Sequence, residues 1–564
     1  MDENNIDKKR RIYNVFFNTH TVGGIAISIG LFVIFLAGAY SLFVREINRW
    51  QEGVKKQEYT TDIDFERVID SLAQEAYQLE GRTIDISLRE DTQNYIRVRS
   101  EALSVDKDTA KIFSQKDSLA RTTIYMEINP ETYQIEERER NHENTQLGTF
   151  LFHLHYFGQI PIIGIRIAGL VSLFFAFTML TGIIIHWNKI ISNFFTFRLK
   201  TSIKNLWTDA HTALGVIGFP FQFMYAITGA FYGLILLLYI PILAVVFDGD
   251  QEKLVALLQP KIEAGKDTIT TSYNDTSING LVKGALSRLN HSEVEFMSVL
   301  ITNYGKQEAE LVFTAQMNSQ KHFMNNVVTT FQLSDGTVLS HKPMDENSYF
   351  ELSTSTIFKL HFATFGGYLI KAVYFVLSLL TCFVIISGVM IWLVAREKKT
   401  YAHKAKFNRN IGAIFIGACM GLYPAIALFF CLVKILPESF SLASNIFFLF
   451  WLAFTIYAFF IKRPFKINKH ALLVAGVFGL LIPVFNGLES GLWFWKSLGM
   501  GYKDSFFVDV SWLVISVITL WAAWKAKPVD KRLGEKGKVE GLVGVSDKEI
   551  TGQPVFNLTS TSNK

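Results

Sequence analysis

Four histidines of this 564-residue chain lie at repeated positions. The segment that begins at His20, HTVGGIAISIGLFVIFLAGAY, aligns without gaps on the segment that begins at His211, HTALGVIGFPFQFMYAITGAF. FHLHYF aligns in the same way on FKLHFA, which places His155 over His361. Such an internal repeat predicts a duplicated structural unit with one member of each histidine pair in each copy.

The residue type and the pairing are typical of axial haem ligation. A neutral imidazole can give one ring nitrogen to iron while the other donates a hydrogen bond to a nearby acceptor. Positions four and eighteen after a helical histidine share its face, and eighteen residues rise about 27 Å, the depth of the other pair. Both positions are glycine in both copies, namely Gly24, Gly38, Gly215 and Gly229. A face without side chains suits a planar macrocycle; helix packing through small residues is the alternative.

The elements that position these histidines are long apolar runs. Half of the residues are hydrophobic and only 19% are charged, against about 25% in soluble proteins. Uncharged runs near the length of about 18 residues that marks a membrane span cover 22–44, 167–187, 212–247, 372–395, 411–433, 439–461, 471–488 and 510–524. The last run is short and needs its flanking residues to span. The sequence predicts a polytopic α-helical membrane protein.

Lysine and arginine distribution predicts the orientation. Basic clusters precede the first run and follow the second, fourth and sixth, so both termini are predicted to be cytoplasmic. The first four helices then form a duplicated core, a parallel repeat whose copies enter the membrane in the same direction, followed by about four further spans. The net charge of +5 is small for this length and argues against a nucleic-acid partner. The three cysteines lie in apolar runs, which argues against disulfides or cysteine-ligated clusters.

Two large extracytoplasmic segments follow from this topology. Each opens with an amphipathic helical pattern and continues with alternating strands and turns, which predicts two small α+β domains. The predicted organisation is a head and first helix at 1–49, a first outer domain at 50–150, the second and third helices at 151–247, a second outer domain at 248–356, the fourth helix at 357–396, a four-helix bundle at 410–526 and a disordered cytoplasmic tail at 527–564.

The order of these features resembles a known family. The THT and AHT helix openings, the LHYFGQIP and LHFATFGG openings, the paired TG and SG and the turn-containing outer hairpins are similar to the PepSY-associated transmembrane family of bacterial inner-membrane proteins, over about residues 10–400. The resemblance implies PepSY-like outer domains and a ferric-siderophore reductase with two haem b groups. It also implies that His20 with His211 holds the cytoplasmic-side haem and His155 with His361 the periplasmic-side haem.

Four other polar residues are candidates for a supporting role. Arg166 and Lys371 stand at similar depths in the second and fourth helices, where they either snorkel to the interface or pair with haem propionates or an anionic substrate. His186 ends the second helix near the cytoplasmic-side pair and is either an interfacial anchor, a replacement ligand or a quinol contact. His153 points away from His155 on a helix and is interpreted as a solvated or supporting residue.

The sequence contains no dinucleotide, Walker, zinc-protease or serine-hydrolase motif. Electrons would therefore come from membrane quinol or a cytoplasmic reductase, and the expected acceptor is a ferric siderophore or another periplasmic acceptor. Two other hypotheses stay open. One is a non-redox membrane protein whose outer domains bind periplasmic proteases or envelope components; the other is a transporter, which the scarcity of acidic residues in the first four helices disfavours.

Overall fold

A computed structural model of the chain describes residues 3–56, 62–75, 79–89, 96–100, 124–136, 145–187, 203–250, 276–396 and 403–526. The tail at 527–564, for which the sequence predicts disorder, lies outside the described residues. In the described part, eight helices are long and apolar enough to span a membrane, which confirms the predicted multi-pass helical protein. They are α1 Glu3–Ser41, α5 Gly164–His186, α6 Ile203–Val246, α9 Gly367–Ala395, α10 Ala405–Ile435, α11 Phe440–Ile461, α12 Pro464–Ser490 and α14 Lys503–Lys525.

The eighth spanning helix is longer than the uncharged run that predicts it. It begins at Lys503 instead of Val510, so its first two turns carry Asp504 and Asp509, which are 6% and 0% exposed. Both carboxylates have hydrogen-bond donors within the protein, at Arg49 and Trp50. The helix can therefore bury charged residues that would otherwise end it at the membrane surface.

Among the residues that the structure describes, six shorter helices flank the spans: α2 Val44–Glu52, α3 Phe65–Glu75, α4 Leu147–His155, α7 Ile278–Leu286, α8 Tyr349–Phe362 and α13 Phe494–Ser497. The start of α8 is fixed by a capping box, in which the Ser348 hydroxyl accepts from the backbone of Glu351 and the Glu351 carboxylate accepts from the backbone of Ser348. Helix α4 packs against α1 and α2, and α8 packs against α6, so each brings its last turn to one end of the spanning bundle.

The first four spans form a closed ring. Helix α1 packs against α5 and α9, and α6 packs against the same two helices from the other side. The remaining spans form a second bundle around α10 and α12, which joins the ring through α1, α2 and α9. Large apolar side chains such as Phe174, Leu449 and Trp521 are more than half exposed on the spans, and these surfaces contact membrane lipid.

The strands of the two segments that are predicted to be extracytoplasmic join in one antiparallel sheet of eight strands, in the order β4-β3-β2-β1-β5-β6-β7-β8. The sequence predicts two small α+β domains; in the structure β1 of the first segment pairs with β5 of the second, with Ser87 opposite Ser298. This pairing covers the edge that each half would otherwise expose. The strands are β1 Ile84–Arg89, β2 Ile96–Ser100, β3 Ile124–Ile128, β4 Ile135–Glu136, β5 Val294–Thr302, β6 Glu310–Met317, β7 Asn326–Gln332 and β8 Val338–Lys342.

Helices α3 and α7 cover one face of this sheet. Alternate strand residues point towards them and form one apolar core, in which Phe65, Leu281 and Phe313 are almost fully buried. The two helices are tied to each other by Asn279, whose amide oxygen accepts from the backbone of Phe65 at 2.7 Å. The segments before and after the central spans are therefore one folded unit.

Candidate functional site

The structure brings the four repeated histidines together in two pairs. His20 on α1 and His211 on α6 face each other with ring centroids 6.2 Å apart; they are called the inner pair. His155 at the end of α4 and His361 near the end of α8 have ring centroids 6.1 Å apart; they are called the outer pair, because they lie towards the sheet. Each pair joins one histidine from each copy of the sequence repeat.

The spacing of both pairs suits one metal ion between two imidazoles. A bond from a metal to an imidazole nitrogen measures about 2.0–2.1 Å, which separates the centroids of two opposed rings by roughly 6.3 Å. The observed separations are 6.2 and 6.1 Å. Within the described ranges, no group of three or more His, Cys, Asp or Glu side chains could hold a metal ion. The spacing of each pair would suit the two axial positions of one haem.

Hydrogen bonds orient the inner pair. Nδ1 of His20 lies 2.7 Å from the carbonyl oxygen of Thr178. Nδ1 of His211 lies 3.0 Å from the carbonyl oxygen of Val384 and 3.0 Å from the Ser387 hydroxyl. A carbonyl oxygen only accepts, so both Nδ1 atoms carry the proton and both Nε2 atoms keep a lone pair. That is the state in which a histidine ligates iron.

Two glycines make room for the inner rings. A Cβ atom added at Gly182 would lie 2.9 Å from Cε1 of His20, and one added at Gly388 would lie 3.2 Å from Cε1 of His211. These are the glycines of the repeated TG and SG pairs. The repeat of these glycines is visible in the sequence, but their contact with the histidines is not. Each glycine follows the residue with the accepting carbonyl by four positions, which places both residues on one helix face.

The outer pair is held differently. Nδ1 of His155 lies 2.7 Å from the carbonyl oxygen of Ile34, whereas Nδ1 of His361 lies 2.8 Å from the hydroxyl of Thr228. A Cβ at Gly38 would lie 2.7 Å from His155 Nδ1, so Gly38 does reach the depth of the outer pair. Gly229, the counterpart of Gly38 in the second copy, does not approach His361 in this way. A Cβ added at Gly229 would instead lie 2.7 Å from the Ser172 hydroxyl.

Burial keeps the outer imidazoles neutral. His155 and His361 lie on α4 and α8, outside the spanning helices. Burial lowers the pKa of His155, and burial together with the neighbouring His155 lowers the pKa of His361 to about 3. Both rings are therefore uncharged at neutral pH, and each can offer the lone pair of one ring nitrogen.

Aromatic side chains fill the ring of helices between the two pairs. Phe35 contacts Phe175 and Phe221 with centroid separations of 5.7 and 6.4 Å, and it also contacts Tyr225 at 6.1 Å. Tyr225 in turn lies 5.1 Å from the ring of His361. A dry aromatic core of this kind excludes water and lowers the local dielectric constant between the two membrane faces.

The two additional histidines lie beside the pairs without joining them. His186 ends α5 close enough to His20 and His211 for their charges to interact. The ring of His153 packs on Phe152 and Tyr156, at 6.2 and 5.6 Å. Their proposed roles as replacement ligands or supporting residues stay predictions.

The two intramembrane cations have partners within the protein. Arg166 Nη1 donates to the carbonyl oxygen of Gly233 at 3.3 Å. Lys371 Nζ lies 3.6 Å from a carboxylate oxygen of Glu46 and within 5.9 Å of the Phe43 ring centroid. Contact with haem propionates or an anionic substrate stays a prediction for both.

A buried polar network joins the ring to the second bundle, and its residues stand in no recognisable sequence pattern. Arg49 Nε lies 2.6 Å from Asp504 Oδ2, and both side chains are less than 10% exposed. Asp509 accepts from Trp50 Nε1 at 2.8 Å and from Asn486 Nδ2 at 2.9 Å. The network connects α2 with α12 and α14, so it fixes the second bundle against the end of the ring that carries the outer pair.

Comparison with known proteins covers the part of the chain that holds both pairs. No curated protein matches the chain. The family model of the PepSY-associated TM region matches residues 17–395, which include all four paired histidines, the ring of helices and the sheet. The match covers more than half of the chain and leaves the second bundle outside it. The chain therefore belongs to the family of the PepSY-associated TM region.

Proposed function

We propose that this protein is an inner-membrane di-haem b reductase, which moves electrons outward across the membrane to ferric iron held by a siderophore. The observation that carries the proposal is the presence of two facing histidine pairs, one towards each membrane face, with ring separations of 6.2 and 6.1 Å. All four rings use Nδ1 for a hydrogen bond, which leaves Nε2 for iron.

The chain's own residues would do three things for this function. The inner and outer pairs would each hold one haem b, which supplies reversible one-electron iron chemistry when bound. The carbonyl and hydroxyl partners of the four Nδ1 atoms would fix ring orientation. The aromatic core around Phe35 would keep water out between the two sites.

The internal repeat supports a duplicated four-helix core. In each copy, a spanning helix that carries a paired histidine, His20 or His211, is followed by an outer segment and by a second spanning helix. The strand order is symmetrical about the β1 and β5 pair, as expected for two PepSY-like domains related by a twofold axis along the membrane normal. In this proposal the sheet lies in the periplasm and both termini lie in the cytoplasm, as the distribution of basic residues predicts.

The outer segment is well placed to control access to the outer pair. The loop between β6 and β7 touches the junction of α8 and α9, where the Ser319 hydroxyl donates to the carbonyl oxygen of Thr364 at 3.0 Å. Lys359, two residues before His361, lies 5.6 Å from the Phe323 ring centroid. A bulky iron chelate that accepts electrons from this face would meet the same loop.

The number of electrons that each reaction partner exchanges limits the choice of electron donor. Reduction of one ferric ion consumes one electron, whereas oxidation of a quinol to a quinone releases two electrons and two protons. One quinol would therefore reduce two ferric ions, one after the other. A cytoplasmic reductase is the other donor consistent with the chain's own motifs.

The test is a dithionite-reduced minus oxidised absorption spectrum of the detergent-purified protein, with haem measured per chain. The expected result is a six-coordinate b-type spectrum and close to two haems per chain. His155→Ala is expected to remove one haem, whereas the matched variant His153→Ala, two residues away, is expected to retain both.

A colourless protein that does not take up added haem would overturn the proposal. That outcome would favour the alternative of a non-redox protein that binds periplasmic proteases or envelope components. Loss of haem from His153→Ala but not from His155→Ala would overturn the ligand assignment alone.

A further inference from the structure

One histidine of the outer pair differs from the other three in the acceptor that its Nδ1 meets. His20, His155 and His211 each direct Nδ1 at a backbone carbonyl oxygen, at 2.7, 2.7 and 3.0 Å, and Nδ1 of His211 also lies 3.0 Å from the Ser387 hydroxyl. His361 instead directs Nδ1 at the hydroxyl oxygen of Thr228, at 2.8 Å. Thr228 is 4% exposed, so this hydrogen bond is shielded from water.

The proton positions in this contact follow from the next hydrogen bond. The Thr228 hydroxyl also lies 2.8 Å from the carbonyl oxygen of Met224, which can only accept. The single hydroxyl proton is therefore donated to Met224, and the hydroxyl oxygen accepts from Nδ1 of His361. The contact fixes the same tautomer as the three carbonyl bonds but with a different acceptor.

The difference is encoded at one position of the repeat. In the alignment of the helix from His20 on the helix from His211, Thr228 falls on Ala37, which has no hydroxyl. The residue that supplies the carbonyl acceptor in the first copy, Ile34, falls on Tyr225 in the second. Tyr225 makes another contact, because its hydroxyl donates to the backbone oxygen of His361 at 3.0 Å.

The kind of acceptor affects the iron that the histidine would ligate. An acceptor on Nδ1–H makes the imidazole more basic and so favours the oxidised metal; partners of this kind tune both affinity and reduction potential. A hydroxyl oxygen carries less negative charge than an amide carbonyl oxygen, so it raises the basicity of the ring less. The outer pair has one carbonyl and one hydroxyl partner, whereas both members of the inner pair have carbonyl partners.

We propose that Thr228 is a positioning residue, which holds His361 and sets the reduction potential of the outer haem above that of the inner haem. This inference rests on the proposed function, and it adds a thermodynamic reason for the outward direction of electron transfer. A more positive potential at the outer pair favours the arrival of electrons on the side of the sheet, where the acceptor would bind.

The test is a potentiometric titration of the purified haem-loaded protein, followed by absorbance. His155→Ala identifies the outer component as the one that disappears. The wild-type protein is expected to show an outer component more positive than the inner one. Thr228→Val removes the acceptor and is expected to favour the reduced outer haem by about tenfold, which equals about 59 mV for a one-electron couple. The inner component is expected to stay unchanged.

Two further variants separate positioning from general damage. Thr228→Ser retains the hydroxyl and is expected to keep both wild-type potentials. In the matched control Thr455→Val, on α11 of the second bundle, the lost hydroxyl donates to the carbonyl oxygen of Trp451 within its own helix. Both potentials are expected to stay unchanged there.

The proposal is overturned if the wild-type outer component is the more negative one, or if Thr228→Val leaves it unmoved or shifts it downward. If Thr228→Val abolishes binding of the outer haem, the outcome of Thr228→Ser is decisive. Binding of the outer haem at its wild-type potential in Thr228→Ser supports the proposal, and loss of the outer haem in that variant overturns the proposal. A wild-type protein without haem would overturn the proposed function itself, a result distinct from all of these.

Discussion

Replacing Gly38 by alanine tests the geometry of the outer pair with one methyl group. The added Cβ would lie 2.7 Å from Nδ1 and 3.0 Å from Cε1 of His155, whereas ordinary contact begins at 3.4 Å. The ring must therefore recede by about 0.7 Å, from 2.7 to 3.4 Å. Retreat also lengthens the hydrogen bond to the carbonyl oxygen of Ile34, one turn earlier on the same helix.

A movement of this size is large for a metal ligand, because ligand distances are held within about 0.2 Å. Loss of the hydrogen-bonded partner of a ligating histidine typically weakens metal binding ten- to hundredfold. We expect Gly38→Ala to bind close to one haem per chain, with the spectrum and potential of the inner haem retained. The measurement is haem content and the reduced minus oxidised spectrum of the purified variant.

Gly30→Ala is the matched control. It lies on the same helix, and its added Cβ would meet Phe157 and Val171 at 3.5 Å, which is ordinary contact. We expect this variant to keep two haems. Two six-coordinate haems in Gly38→Ala, with an unaltered outer potential, would show that His155 does not ligate iron from the position described.

Two other contacts lead to predictions. Arg49→Ala leaves the buried Asp504 carboxylate without its cation and should destabilise the protein by about 3–5 kcal/mol, as measured by thermal unfolding in detergent. The double variant Arg49→Met, Asp504→Leu removes both charges and should lose much less stability. Equal losses of stability in the two variants would contradict the role of the ion pair. Cysteines at Ser87 and Ser298, which are directly opposite in β1 and β5, should form a disulfide that non-reducing electrophoresis detects after proteolysis between the strands. Cysteines at Ser87 and Thr302, four residues out of register, should not.

The positions of the four paired histidines could be predicted from the sequence because they recur in a gapless repeat. Two copies of one helix pair must place equivalent residues at equivalent depths, so His20 meets His211 and His155 meets His361. The eight spans were predictable for a similar reason, since hydropathy reports the apolar environment residue by residue. Confirmation of the family extends this agreement to residues 17–395.

The partners of those histidines could not be predicted. Three of them are backbone carbonyl oxygens, which every residue possesses, so the identities of Ile34, Thr178 and Val384 contain no signal. The ion pair of Arg49 with Asp504 joins residues 455 positions apart, and neither stands in a recognisable spacing. Tertiary packing alone brings such groups together.

The single sheet has a consequence for how such a protein can arise. One copy of the repeat alone would carry one histidine towards each membrane face and a half-sheet whose β1 edge is open. An open edge of six residues invites pairing with another chain. A protein with only one copy would therefore gain from forming a homodimer through that edge, and the same contact would complete both histidine pairs. Fusion of two such copies makes the pairing of the two half-sheets intramolecular. Each half can then acquire its own substitutions, as at the equivalent positions Ala37 and Thr228.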